Sequence, residues 1–194
     1  NNTGTIDNGA NTVDSPGDRK IIGNSEPRYI YTLSFSADWN NFFLSAMFDG
    51  VGKQDWYPSG ESSFWGQYNR PYNQVPVWHL NNYWTKDRPD AYLPRYSGYY
   101  NPLYKGTANT RYLQDVSYFR LKNLQFGYNL PKKWIAKAGF SKVSVYFSGE
   151  NLWSWSPLYR HTKDYDVTVI TKGSDNDLTS GNKGDGFNYP TMRN

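Results

Sequence analysis

Residues 28–39 place Tyr29, Tyr31, Leu33, Phe35, Ala37 and Trp39 at odd positions and Arg28, Ile30, Thr32, Ser34, Ser36 and Asp38 at even ones. Alternation of this period over such a length marks a β-strand with one apolar and one polar face. Asn40 and Asn41 follow, a pair tolerant of the positive φ angles that a two-residue hairpin turn demands. The alternation then resumes over 42–52, where Phe42, Leu44, Ala46 and Phe48 oppose Ser45, Met47 and Asp49. It returns in 113–130 (Leu124, Phe126, Tyr128 and Leu130 against Asn123, Gln125, Gly127 and Asn129) and in 141–155 (Val143, Val145, Phe147, Gly149, Trp153 and Trp155 against Lys142, Ser144, Tyr146, Ser148, Glu150 and Ser154). One irregularity stands out: Arg120 and Lys122 share the parity of Leu124. A β-bulge, or an upper half of the strand standing clear of the apolar layer, would account for it.

Between the strands the connections alternate short and long. Asn40-Asn41 and the connector 131–140, which has room for one helical turn, are short. Residues 1–27, 53–112 and 156–188 are long and rich in Gly, Asn, Asp, Ser and Pro, which is loop chemistry. The middle one carries many Trp and Tyr residues, so it is expected to be packed. No fixed-period repeat of the solenoid kind occurs.

Strands with one greasy face fit two environments. In a soluble sandwich that face lies in a protein core; in a transmembrane barrel it meets lipid while the polar face lines a watery lumen. Strands of at least about 9–11 residues reach across a bilayer when tilted. Tyr29, Trp39, Trp153 and Trp155 stand near strand ends, where aromatic girdles lie. The short/long alternation matches periplasmic turns against extracellular loops, and the barrel is the favoured reading.

Composition removes other classes. Aromatic residues make up 19% of the 194 residues, which argues against simple disorder, and no apolar run is long enough for a transmembrane helix. Cys is 0, so disulfides, thiolate zinc sites and cysteine nucleophiles are excluded. The net charge of +4 comes from scattered Lys and Arg, unlike the concentrated basic face of a nucleic-acid binder. The polar start at Asn1, Asn2, Thr3 and Gly4 lacks an apolar signal core, so the chain is expected to begin after processing or inside something larger.

Candidate chemistry is sparse. His79 and His161 lie in different loops without a motif, so neither a Ser/His/Asp triad nor a two-histidine metal site is expected. Asp164, Asp166, Asp175, Asp177 and Asp185 sit in a Gly/Asn-rich loop where a calcium ion is conceivable, though no EF-hand spacing fits there or at Asp7, Asp14 and Asp18. There is no phosphate loop, dinucleotide fingerprint or nucleophile elbow, and nothing singles out a glycosidase carboxylate pair. No catalytic residue, resident metal or cofactor is therefore assigned. Trp56, Trp65, Tyr68, Trp78, Trp84, Tyr99 and Tyr100 are the candidate substrate- or partner-binding residues, since Trp and Tyr dominate binding hot spots; packing on one another to stiffen the loop is the alternative for most of them. Candidate lumen-facing residues are Thr32, Ser34, Ser36, Ser144, Tyr146, Ser148 and Glu150.

The stretches Ser117–Leu124 and Gly127–Pro131 resemble the SYLRLKN…LGYTLP segment of SusC/RagA-type TonB-dependent transporters. Ser141–Trp153 is similar to the family's LRVYVSGQNLF strand, Gly17–Asn24 with Pro27 to its DR-x-x-IGNP lead-in, and Asn188–Arg193 to the approach to its last strand. Glu150 departs from the family's usual Gln. The resemblance implies an all-β chain forming the C-terminal segment of an outer-membrane barrel of about 22 strands, with the plug, the TonB box and the closing strand lying outside these residues. Four or five strands cannot close a barrel, so both edges of the segment are expected to need more protein. It further implies loops on the extracellular side and short turns in the periplasm. The implied partners are a SusD-like surface lipoprotein, the TonB complex through the N-terminal part, outer-membrane lipid, and an oligosaccharide or peptide nutrient. The competing classes are a secreted sandwich that binds carbohydrate through exposed aromatics and a secreted hydrolase.

Overall fold

The computed structural model describes residues 7, 9–10, 12–58, 76–95 and 108–170. Its strands are β1 (Ile30–Trp39), β2 (Phe42–Val51), β3 (Asp55–Trp56), β4 (Gln114–Asp115), β5 (Tyr118–Asn129) and β6 (Ser144–Trp155). Four of them form one antiparallel sheet in the order β1-β2-β5-β6, and β3 pairs with β4 beside it. The fold is all-β, relieved among the described residues by the helical turn α1 (Lys132–Ile135) and short 3-10 turns.

Each boundary has a local cause. Asn40 (φ 45) and Asn41 (φ 72) both adopt positive φ, the conformation of the tight turn whose twist matches a hairpin, and they set Trp39 opposite Phe42. The apolar-polar pattern extends slightly beyond the strands at other ends. Arg28 and Tyr29 precede β1 but keep its ladder going, Arg28 N donating to Lys53 O at 2.9 Å and Gly52 N to Tyr29 O at 2.7 Å. Residues 113–117 leave the main sheet: Gln114 and Asp115 pair with β3, and Val116 N donates to Gln54 O at 2.9 Å. At the opposite end Pro131, lacking an N–H donor, precedes α1. A 3-10 turn over Ala136–Ala138 follows and closes on Gly139 at φ 78, a left-handed position suited to glycine.

The parity break at Arg120 and Lys122 is a bulge. Met47 pairs with Asn123 but Phe48 with Leu121, leaving Lys122 out of register. On the other side Asn123 faces Glu150 while Leu121 faces Trp153, and Asn151 between them takes φ 52. The extra residue returns Phe119 and Leu121 to the face of Leu124 and Phe126, and turns Arg120 to the polar face.

Among the described residues no second layer covers the apolar face. Leu33 (59%), Phe35 (52%), Val145 (65%) and Phe147 (58%) are all exposed, which a sandwich would not allow. The buried core lies instead among the long connections, where Trp56, Leu93, Tyr112, Val116, Leu158, Tyr165, Val167 and Ile170 pack together. The described residues thus form an exposed sheet carrying a compact loop assembly at one end, the end where β1 and β5 begin and β2 and β6 finish.

Candidate functional site

The polar face is assembled by register. Successive cross-strand rows are Thr32–Asp49–Arg120–Ser154, Ser34–Met47–Asn123–Glu150, Ser36–Ser45–Gln125–Ser148 and Asp38–Phe43–Gly127–Tyr146. Ser144 joins the same side opposite Asn129, its hydroxyl 2.7 Å from Asn129 Oδ1. The structure therefore brings all seven sequence-selected residues (Thr32, Ser34, Ser36, Ser144, Tyr146, Ser148 and Glu150) to one face.

Sequence reading missed the strongest feature of that face. Arg120 grips Asp49 with two parallel hydrogen bonds, Nε to Oδ1 at 2.9 Å and Nη2 to Oδ2 at 2.6 Å, a bidentate geometry that fixes both groups. Their side chains are only 11% and 16% exposed, and Lys122 Nζ stands 4.0 Å from Asp49. The parity break was the signal that could have found it, since the bulge brings Arg120 opposite Asp49. On the other face Tyr31 reaches over Gly50, occupying the space a side chain there would need, and its hydroxyl donates to Tyr118 O at 3.0 Å.

Above the sheet the loop assembly is knitted by polar side chains. Gln54 Nε2 donates to Ser25 O (3.0 Å) and Ile170 O (3.2 Å), joining three distant segments. Gln114 Nε2 donates to the Tyr92 hydroxyl at 2.7 Å, and Arg111 Nη2 to the carbonyls of Ala91 (2.9 Å) and Tyr92 (3.2 Å). Lys53 bridges Asp55 (2.8 Å) and Asp115 (3.4 Å), and the hydrogen bond to Asp55 leads in raising its pKa. Burial alone would push the Asp115 carboxyl up, but hydrogen bonds from Ser117 and the charge of Lys53 outweigh it and hold the group below its usual range. Tyr57 is pushed up to about 12 by burial, then by neighbouring Tyr112 and Tyr92.

The sequence-selected aromatics divide. Trp56 is core, 8% exposed, with its ring 5.6 Å from Tyr165. Trp78 packs against the same core. Trp84 is 37% exposed and edges an open cavity of about 340 Å³ with Pro89, Pro94, Arg95, Arg111 and Tyr112, a volume within the range of small-ligand clefts. Trp65, Tyr68, Tyr99 and Tyr100 lie outside the described residues.

The histidines do not meet in a motif. His79 is fully buried with its ring 4.3 Å from Trp78, and His161 stacks on Tyr92 at 4.2 Å. Among the described residues no three His, Cys, Asp or Glu side chains come together as a metal site. Asp166 accepts from Thr168 N (2.9 Å) and Thr168 Oγ1 (2.7 Å), and Asp164 N donates to Thr162 Oγ1 at 3.1 Å, so both belong to local turns. Asp175, Asp177 and Asp185 lie outside the described residues.

No family model matches the chain. Over 186 residues, 92% of its length, it is 31% identical to TonB-dependent receptor P3 of Formosa agariphila. Over 150 residues it is 25% identical to TonB-dependent receptor P26 of the same organism. It spans only 17% and 15% of those relatives. Two solved structures share its fold. One, of the RagAB peptide transporter, gives a TM-score of 0.51 at 24% identity over 70% of this chain and 14% of that one. The other, of the RagAB peptide importer in the closed-closed state, gives 0.51 at 22% over 79% and 17%. The exposed sheet is thus a segment of β-barrel of the RagA kind.

Proposed function

We propose, from the premise that this chain is part of a SusC/RagA-type TonB-dependent transporter, that it supplies wall and outer rim to an importer that moves a nutrient across the bacterial outer membrane. The exposed apolar face of the four-stranded sheet carries this reading. Lipid solvates Leu33, Phe35, Val145 and Phe147, while Thr32, Ser34, Ser36, Ser144, Tyr146, Ser148 and Glu150 face the lumen or the plug. β1 and β6 are edge strands of this sheet, and unpaired backbone in hydrocarbon costs several kcal/mol per group, so further strands complete the wall. The loop assembly lies outside the cell and meets a SusD-like lipoprotein lid. Energy arrives through TonB, and no bond is made or broken.

The substrate is an oligosaccharide or a peptide. The cavity edged by Trp84 suits either, because an indole face stacks on a sugar ring or a side chain alike and the guanidinium of Arg95 adds charge. The peptide reading draws on the solved RagAB structures, which are described as a peptide transporter and importer.

Cysteine labelling tests the wall. The chain has no cysteine of its own, so Ser34→Cys and Phe35→Cys can be compared in outer-membrane vesicles. The polar-face cysteine should react with a membrane-impermeant maleimide and the apolar-face one should not. Equal labelling at both positions would overturn the proposal.

A further inference from the structure

The end of the sheet away from the loop assembly carries a feature that wall and rim leave unused. The connector 131–143 holds Lys132, Lys133, Lys137 and Lys142, all exposed. No Asp or Glu occurs anywhere from 116 to 149, and the ion pairs found among the described residues involve none of these four lysines. Trp134 and Phe140, 68% and 61% exposed, stand among them. Their backbone is held by Ile135, 6% exposed, and by hydrogen bonds from Trp134 N to Pro131 O (2.9 Å) and from Phe140 N to Ile135 O (3.3 Å). At the same end Trp39 is 76% exposed, and the rings of Phe42 and Tyr128 lie 4.6 Å apart on the apolar face.

Water would solvate the ammonium groups but not the rings beside them. Hydrocarbon would take the rings but not the ammonium groups. A phospholipid headgroup layer satisfies both, with aromatics at the acyl boundary and phosphates at the lysines. Four cations with no carboxylate among them also discriminate between headgroups, because only a net-negative lipid complements them. We infer that the connector 131–143 is a docking surface for anionic phospholipids in the leaflet opposite the loop assembly. This rests on the reading of the sheet as barrel wall.

The full-length transporter, purified and presented with equimolar phosphatidylglycerol and phosphatidylcholine, should retain the former preferentially when bound lipids are counted by native mass spectrometry. A Lys near a charged bilayer surface contributes enough for about a fivefold preference, so each Lys→Gln change should lower the ratio by up to that factor. The quadruple variant K132Q/K133Q/K137Q/K142Q should lose the connector's share of the preference, and the matching quadruple Lys→Arg variant should keep it. Heat-dependent gel mobility establishes that each variant folds. Equal retention of the two lipids by the wild type, or an unchanged ratio in the quadruple Gln variant, overturns the inference, and an acidic protein surface on the connector would give that second result. A protein that stays out of phospholipid vesicles altogether refutes the barrel reading itself, whereas one that inserts without a headgroup preference refutes only the docking surface.

Discussion

Replacing Phe35 with Arg separates lipid from water as the solvent of the apolar face. Phe35 lies midway along β1, in the row Phe35–Ala46–Leu124–Gly149, and is 52% exposed, so it has few protein contacts to lose. On a water-exposed surface such a change falls within about 0.5 kcal/mol. At the middle of a bilayer, Arg on a barrel's outer face costs about 2–4 kcal/mol, which is roughly a 30- to 700-fold fall in the folded-to-unfolded ratio. Ser34→Arg and Ser36→Arg, one residue away on the polar face, supply the control and should stay within about 0.5 kcal/mol. The measurement is the urea midpoint of the full-length protein in phospholipid vesicles, followed by gel mobility. Indistinguishable midpoints for F35R and S34R would refute the assignment of the two faces.

Removing Asp49 leaves the largely buried Arg120 guanidinium without its partner, so D49A should cost about 3–5 kcal/mol; R120A should cost less, because Lys122 Nζ stands 4.0 Å from the carboxylate that remains. The double variant should cost less than the sum of the two in a double-mutant cycle. Trp56→Ala opens a cavity in the loop core and should destabilise that assembly by about 3–5 kcal/mol; limited proteolysis should then cut the loops while the strands stay protected. Trp84→Ala leaves this core intact and should weaken nutrient uptake by growing cells without changing the amount of folded protein. Burial, then Arg160, lowers the His161 pKa below 6.5, so the folded assembly favours the neutral ring. Its contribution is complete above that value and is lost as pH falls toward the folded pKa. Protection factors of amides near Tyr92, corrected for the intrinsic pH dependence of exchange, should therefore be lower at about pH 5.5 than at about pH 7.5, and His161→Gln should flatten the difference.

Most of the sheet was legible because its information is local. Tyr31 to Trp39 alternate within one strand, and Asn40-Asn41 impose their turn without help from elsewhere. The parity break at Lys122 was visible too, but not its resolution, because a bulge is defined by what lies opposite and Met47 and Glu150 are far away in sequence. The loop site was less legible. Trp56 and Trp84 look alike in sequence, and only the packing of Tyr165 against Trp56 makes one of them core and leaves the other at a cavity edge.

The amino-acid order alone therefore determined strand positions, face polarity and the tight turn, since periodicity and backbone preference act between near neighbours. Tertiary structure decided the rest: that the apolar face stays uncovered, that the core gathers among the loops, and that Arg120 meets Asp49 from 71 residues away. Such contacts depend on register between distant segments, and a pattern with a period of two carries no record of register.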